Sequence, residues 1–210
     1  MSKGLFISLE GPDGSGKSTQ IEYLKEYFRE LSLECIFTRE PGGTEIGEQI
    51  RQIILDRGNS RMSDMTEALL YAASRAQHVE EKIRPALEAG KIVVCDRYVD
   101  SSIAYQGYGR AMGDQIAEIN EYAICGCMPD LTILISVDPR VGRKRIAAGE
   151  RDRLESEKLR FHEEVYRGYL ELAKKDPDRI RTVDGTGTRE AIRDEIRSYV
   201  DPALRSKGLI

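Results

Sequence analysis

"GLFISLEGPDGSGKSTQIEYLKEYF", residues 4–28, sets the architecture. The apolar, β-branched and aromatic run "GLFISLE" (4–10) reads as a strand, and a helical pattern starts at Lys17 and continues to about residue 32. Between them, Gly11, four residues and then Gly16-Lys17-Ser18 satisfy G-x-x-x-x-G-K-[ST] in the strand-to-helix setting that the motif requires. The glycines let backbone N–H groups curl around phosphate oxygens with no Cβ in the way, and the helix start adds a positive dipole end. Lys17 is then placed to reach the β- and γ-phosphates of a nucleoside triphosphate, and the Ser18 hydroxyl to ligate Mg²⁺.

Working outward, apolar runs alternate with helical patterns. "ECIFTRE" (34–40), "KIVVCDR" (91–97), "DLTILISVD" (130–138) and "RIRTVD" (179–184) read as four further strands. Helices are expected over 17–32, after a turn capped by Thr44, over 64–89 with Pro85 as a boundary or kink, and over 114–127. Others fall near 139–148, over 156–175 and over 188–200. Most of the strands are continuous apolar runs rather than alternating ones, the pattern of a parallel sheet covered on both faces. The expected fold is therefore α/β: a three-layer α/β/α domain on a five-stranded parallel sheet, with ligands at the carboxyl ends of the strands. The 210 residues fit a single domain, 1–210, with no internal repeat or linker.

Composition narrows the chemistry. With 40% hydrophobic and 32% charged residues, no apolar run of membrane-spanning length and no signal-peptide pattern, the chain reads as a cytoplasmic protein that does not engage membrane. The net charge of −4 gives no reason to expect a nucleic-acid surface. Cys35 and Cys95 fall in predicted strands as small buried hydrophobes, while Cys125 and Cys127 lack a second ligand pair for zinc. The two histidines, His78 and His162, lie in strongly polar helical surroundings and are expected on the solvated surface. Against this acidic background "GRKRIAAGERDRLE" (142–155) concentrates Arg143, Lys144, Arg145, Arg151 and Arg153, a pattern suited to a small, multiply charged anion. "CDRY" ends one strand with Asp96-Arg97 and "TREPGGT" ends another with Arg39, so two guanidiniums and a carboxylate emerge beside the phosphate loop. Guanidinium geometry suits phosphate, and a second phosphate site is expected opposite the first.

The ordered series "EGPDGSGKST", "TREPGGT", "ALLYAASRAQH", "CDRYVDSSIAYQG", "PDLTILISVDP" and "GERDRLE" resembles the thymidylate kinases, P-loop nucleoside monophosphate kinases, over nearly the whole chain. The resemblance implies transfer of the γ-phosphoryl group of Mg·ATP to dTMP, yielding dTDP and ADP, in a homodimer. It makes Gly11, Asp13, Gly14, Ser15, Gly16, Lys17, Ser18 and Thr19 the ATP-binding loop, with Asp13 also approaching the acceptor. Tyr71 takes the place of an aromatic that stacks on thymine, and Arg75, one helical turn on, that of an arginine bonding the base carbonyl. Tyr105 matches a residue crowding the sugar 2′ position, Ser102 and Gln106 match positions near the base, and Arg39 and Arg97 match ligands of the dTMP phosphate. In a lid at about 142–156, Arg145 matches a residue stacking on adenine, and Asp152-Arg153 a pair whose arginine supports the transferring phosphoryl group. Arg151 stands where other members often carry an uncharged residue, and Gly14 where some carry an arginine in the loop itself. Asp96 is expected to organise Mg²⁺ and fix Arg97 rather than act as a base, because the second pKa of a phosphate monoester is near ~6. Two rivals remain: another nucleoside monophosphate or deoxynucleoside kinase on this scaffold, and a nucleotide-gated switch that hydrolyses ATP without an acceptor.

Overall fold

The structure, a computed structural model, describes residues 4–146 and 152–210. β1 (Leu5–Glu10), β2 (Cys35–Arg39), β3 (Ile92–Asp96), β4 (Leu131–Ser136) and β5 (Ile180–Asp184) form one sheet in the order β2-β3-β1-β4-β5. Every neighbouring pair is parallel, as the continuous apolar runs predict. β1 is buried along its whole length and is flanked by β3 on one side and β4 on the other. The chain therefore diverges to both sides of β1, and the glycine loop that follows lies at that switch point. The register sets Asp96 opposite both Leu9 and Arg39, which brings Glu10, Arg39 and the Asp96-Arg97 pair level at one edge.

Helices cover both faces. On one, α1 (Lys17–Glu30) and α9 (Arg189–Ser206) seat Leu24, Phe28, Ile196 and Val200 against Leu5, Ile7, Leu9 and Ile133. On the other, α8 (Leu159–Lys175) places Phe161, Val165 and Tyr169 against Leu134 and Ile180. Burying each such side chain contributes roughly 1.5–3 kcal/mol. α2 (Glu45–Leu55) starts as expected, with the Thr44 hydroxyl accepting from Gly47 N at 3.0 Å.

The structure departs from the sequence reading at several ends. α1 stops at Glu30, and α9 continues through Pro202 to Ser206. Pro202 is on the exposed side, while Ile196, Val200 and Leu204 hold a buried stripe at helical spacing, so packing outweighs the lost N–H. The helix expected over 64–89 is α3 (Asp64–His78), a π-helical stretch Val79–Ile83 and α4 (Arg84–Glu88), with Pro85 in the first turn of α4. A segment with no assigned pattern, following β3, is also helical: α5 (Val99–Ser102) runs into a second π-helical stretch, Ile103–Gly109. α6 (Gln115–Ile124) precedes β4. Of the lid region, Gly142–Arg145 form the last turn of α7 (Pro139–Arg145), while 147–151, including Arg151, lie outside the described residues. Among the described residues no helix is long and apolar enough to cross a membrane.

Candidate active site

The glycine loop is built by close approach as much as by turn geometry. Gly11 (φ +142°) and Gly14 (φ +76°) adopt conformations that side chains rarely tolerate. A Cβ on Gly11 would overlap the Ile135 carbonyl, and one on Gly14 the Gly142 carbonyl of α7. The space that a loop arginine would need at position 14 is thus taken by backbone. Lys17 folds over its own loop, donating to Gly11 O (2.9 Å) and Pro12 O (3.2 Å). Burial, with Arg97 nearby, pushes its ammonium down to about 8. Asp13, Gly14, Ser15, Gly16, Lys17, Ser18 and Thr19 line a cavity of about 860 Å³, and Ser15 Oγ is buried without a partner among the described residues. Gly11 stands behind that lining, with its carbonyl accepting from both Lys17 and Arg97.

Asp96 and Arg97 enter from the end of β3. Arg97 sits in the left-handed region at φ +67°, a strain of about 1–3 kcal/mol for a non-glycine residue. Two bonds from β1 hold that turn: Arg97 N donates to Leu9 O (2.9 Å) and Tyr98 N to Glu10 Oε1 (2.7 Å). Burial, reinforced by the Asp100 charge, raises the Glu10 carboxyl to about 7. The Arg97 guanidinium donates to Asp13 Oδ1 (2.6 Å), Gly11 O (3.0 Å) and the Tyr169 hydroxyl (3.1 Å), and lies 5.0 Å from the centre of the Tyr105 ring. Asp13, which also accepts from Tyr105 (3.0 Å), therefore takes the fixing role expected of Asp96. Burial acts to raise the Asp13 carboxyl, but the Arg97 and Lys17 charges outweigh it and hold it below the usual range. Asp96 Oδ1 is buried without a hydrogen-bond partner among the described residues, and Asp96 and Ser18 line the same cavity; two hard oxygen donors beside a phosphate loop fit a divalent cation.

Arg39 is at the rim, bonded to both Glu48 oxygens (2.9 and 3.1 Å). The cavity also takes in Glu40, Pro41 and Arg51, which the sequence reading missed. Arg51 Nη1 donates to Pro41 O (2.9 Å), and its placement two helical turns past the Thr44 cap was the available signal. Tyr71, Arg75, Ser102, Tyr105 and Gln106 all line the same cavity. Burial raises the Tyr71 and Tyr105 hydroxyls above their ordinary range.

Arg75 is 1% exposed, so its role rests on what its guanidinium has left to give. Nε donates to Glu40 Oε2 (2.8 Å), Nη1 to Ser102 Oγ (3.0 Å) and to Asn120 Oδ1, and Nη2 to Tyr98 O (3.1 Å). Of five N–H groups, one on Nη2 has no partner among the described residues. His78 supports this network instead of facing solvent: it is fully buried, with Nδ1 2.9 Å from Glu40 Oε1 and Nε2 2.7 Å from Thr38 Oγ1. Glu40, His78 and Cys95 bring three ligand-type atoms within 4.8 Å of one another, but both histidine nitrogens and both Glu40 oxygens are already occupied. His162 is likewise buried, because it shares the inward face of α8 with Val165 and Tyr169.

On the donor side, Arg145 lines the cavity and donates to Gly185 O (2.8 Å), in company with Gly187, Arg189 and Ile192. Arg153 is the predicted residue that the structure does not bring to the loop. Its Nη2 lies 2.6 Å from Glu67 Oε2, its Nε donates to Ile54 O (2.8 Å) and its backbone N to Leu55 O (3.3 Å). Leu154 beside it is buried with Tyr105 and Phe161, so this end of the 142–156 segment packs beside Tyr105.

Similarity to known proteins agrees with this geometry. The thymidylate kinase family model matches residues 9–196. A thymidylate kinase from Clostridium novyi is 48% identical over 204 residues, covering 95% of this chain and 100% of the relative. One from Lactobacillus delbrueckii is 54% identical over 189 residues, covering 88% and 89%. Among solved structures, a crystal structure of thymidylate kinase from Ehrlichia chaffeensis superposes with a TM-score of 0.77 at 32% identity, covering 94% of this chain and 98% of that one. With its phosphate loop opening on a guanidinium-lined cavity and with these relatives, the chain belongs to the thymidylate kinase family.

Proposed function

We propose that the protein, a single-domain kinase, transfers the γ-phosphoryl group of ATP to dTMP, forming dTDP on the route to dTTP. The observation that carries this reading is one cavity lined by the phosphate loop together with Tyr71, Arg75, Tyr105 and Gln106, with Arg97 bonded to Asp13 of the loop and 5.0 Å from the centre of the Tyr105 ring. An oxygen of the dTMP phosphate attacks the γ-phosphorus as the bond to the bridging β,γ-oxygen breaks. That phosphate is already largely dianionic at neutral pH, its second pKa being about 6, so no base is required of Asp96. The chain's own residues align the two phosphates and neutralise charge: loop amides and Lys17 on the donor, Arg97 and Arg39 on the acceptor. Ser18 and Asp96 would hold Mg²⁺, which when bound neutralises charge on the β- and γ-oxygens. Tyr71 would stack on thymine, Tyr105 crowd the sugar 2′ position, and Arg145 stack on adenine. Four free cysteines fit the cytoplasm, where thiols stay reduced.

ADP formation is expected to be fastest with dTMP in a panel with dUMP, dCMP, dGMP and UMP. Faster turnover of another monophosphate would reassign the acceptor, and ATP turnover indifferent to any acceptor would favour a nucleotide switch.

The partner implied is a second copy of the chain. Ile46 and Ile53 on α2 and Met65 and Leu69 on α3 are large apolar side chains between 40% and 51% exposed, on two helices that pack side by side. Helical spacing sets each pair along one stripe, and a self-complementary apolar patch suits a two-fold dimer. Sedimentation is expected to give twice the mass of one chain, and Leu69→Glu to give monomers. A monomeric wild-type protein at assay concentrations removes the dimer.

A further inference from the structure

Glu67 lies on the buried face of α3, one helical turn before Tyr71, with 1% of its surface exposed. Three side chains converge on its carboxylate. Gln106 Nε2 donates to Oε1 at 2.8 Å, Arg110 Nη2 to Oε2 at 3.0 Å, and Arg153 Nη2 lies 2.6 Å from Oε2. Burial acts to raise the Glu67 carboxyl, but hydrogen bonds from Arg110 and Gln106 and the charges of Arg110 and Arg153 outweigh it and hold it below the ordinary range. Glu67 is therefore ionised, and an ionised carboxylate only accepts hydrogen bonds.

That restriction reaches the cavity through Gln106. A side-chain amide has a donor end and an acceptor end, and only the donor end can face Glu67. The Gln106 carbonyl is thereby turned away; Oε1 is buried, has no partner among the described residues, and belongs to a side chain lining the same cavity as Arg75, whose Nη1 donates to Ser102 one helical turn before Gln106. Arg75 contributes its one spare Nη2–H. The same cavity thus offers an acceptor and a donor. Thymine presents the complement, an N3–H donor beside the O4 acceptor, whereas cytosine presents an N3 acceptor beside an amino donor.

We infer that Glu67 is a positioning residue for base selection, fixing the polarity of the Gln106 amide so that the pocket admits a keto pyrimidine and rejects an amino one. The inference rests on reading this end of the cavity as the base pocket. A glutamine at position 67 presents both a donor and an acceptor, so it leaves the Gln106 amide free to turn over. It also loosens Arg153, but that effect is common to all acceptors and cancels in a ratio.

The test is the ratio of kcat/KM for dTMP to kcat/KM for dCMP in wild type, Glu67→Gln, Gln106→Ala and the double variant. Glu67→Gln is expected to lower the ratio about tenfold or more, at the low end of what a well-placed base contact discriminates. Gln106→Ala should lower it at least as far, and adding Glu67→Gln should change it no further. A ratio untouched by Gln106→Ala would sink the base-pocket reading itself. A ratio lowered by Gln106→Ala but not by Glu67→Gln, or effects that simply multiply, would overturn the role of Glu67. A readout on the wild-type protein avoids dependence on how the variants fold. The Gln106 side-chain NH₂, assigned by NMR from its loss in Gln106→Ala, should exchange slowly with solvent, and rapid exchange overturns the inference.

Discussion

Arg97→Ala is expected to lower kcat/KM for dTMP about 10³-fold or more, with substrate affinity and turnover both falling. Each charge-assisted hydrogen bond to a phosphate is worth roughly 1.5–3 kcal/mol, and a guanidinium can make two in parallel, so about 10²–10⁴ follows from contacts alone. Two features of the structure push toward the upper part of that range. First, Arg97 holds Asp13 at 2.6 Å and the Gly11 carbonyl at 3.0 Å, so its loss disturbs the donor loop as well as the acceptor phosphate. Second, a left-handed backbone at φ +67°, with Glu10 and Leu9 pinning the turn, aims this side chain before any ligand arrives. Arg97→Lys keeps the charge but not the fork, and should recover less than tenfold. Calorimetric titration with dTMP alongside steady-state rates separates the parts. An Arg97→Ala enzyme within tenfold of wild type in kcat/KM for dTMP would remove Arg97 from the phosphate site.

Why some of this was legible in sequence and some was not follows from the range of the determinants. The loop is a local device: a strand, glycines at fixed offsets and a helix start, all within 14 residues of chain, and residues 4–17 carry it unaided. The parallel sheet was readable because its central runs, β1, β3 and β4, are apolar almost throughout and leave no polar face. The site's supporting network is different, because its partners are far apart in sequence. His78 reads as a surface histidine in a polar helix until Thr38 and Glu40 arrive from the end of β2 to take its two nitrogens. Glu67 reads as an ordinary helix glutamate, and becomes a buried node only when residues 106, 110 and 153 converge on it. The stretch Ile103–Gly109, which carries Tyr105 and Gln106, escaped because a π-helical turn breaks the 3.6-residue period on which helix recognition depends. Arg153 shows the same limit. The resemblance gives it a place beside the transferring phosphoryl group, whereas the contacts it makes here, with Glu67 and Ile54, come from residues about 85 to 100 positions earlier that no local pattern ties to it.

Lys17→Met should separate activity from stability more sharply than any other single change. With MgATP and dTMP saturating, kcat is expected to fall by about 10³ or more, the scale of removing a preorganised charge from the transferring group. Fold stability at pH 7 should hold or rise. In the empty loop the Lys17 ammonium is buried on two carbonyls, Gly11 O and Pro12 O, and burial, joined by Arg97, pushes it from 10.5 down to about 8. The sign follows from proton counting: between pH 8 and 10.5 the unfolded chain binds a proton at this site that the folded one has released, so stability rises with pH across that window. Below pH 8 the full penalty for burying the charge is present, and methionine removes it while filling similar space. Any stability advantage of the variant should therefore be largest near neutrality and fade as pH approaches 10.5. Thermal unfolding at pH 7 and pH 10, set beside kcat, checks both halves. A Lys17→Met protein that melts well below wild type at pH 7 would mean the ammonium stabilises the empty loop, and one that keeps kcat within tenfold would mean the transferring phosphoryl group does not depend on it.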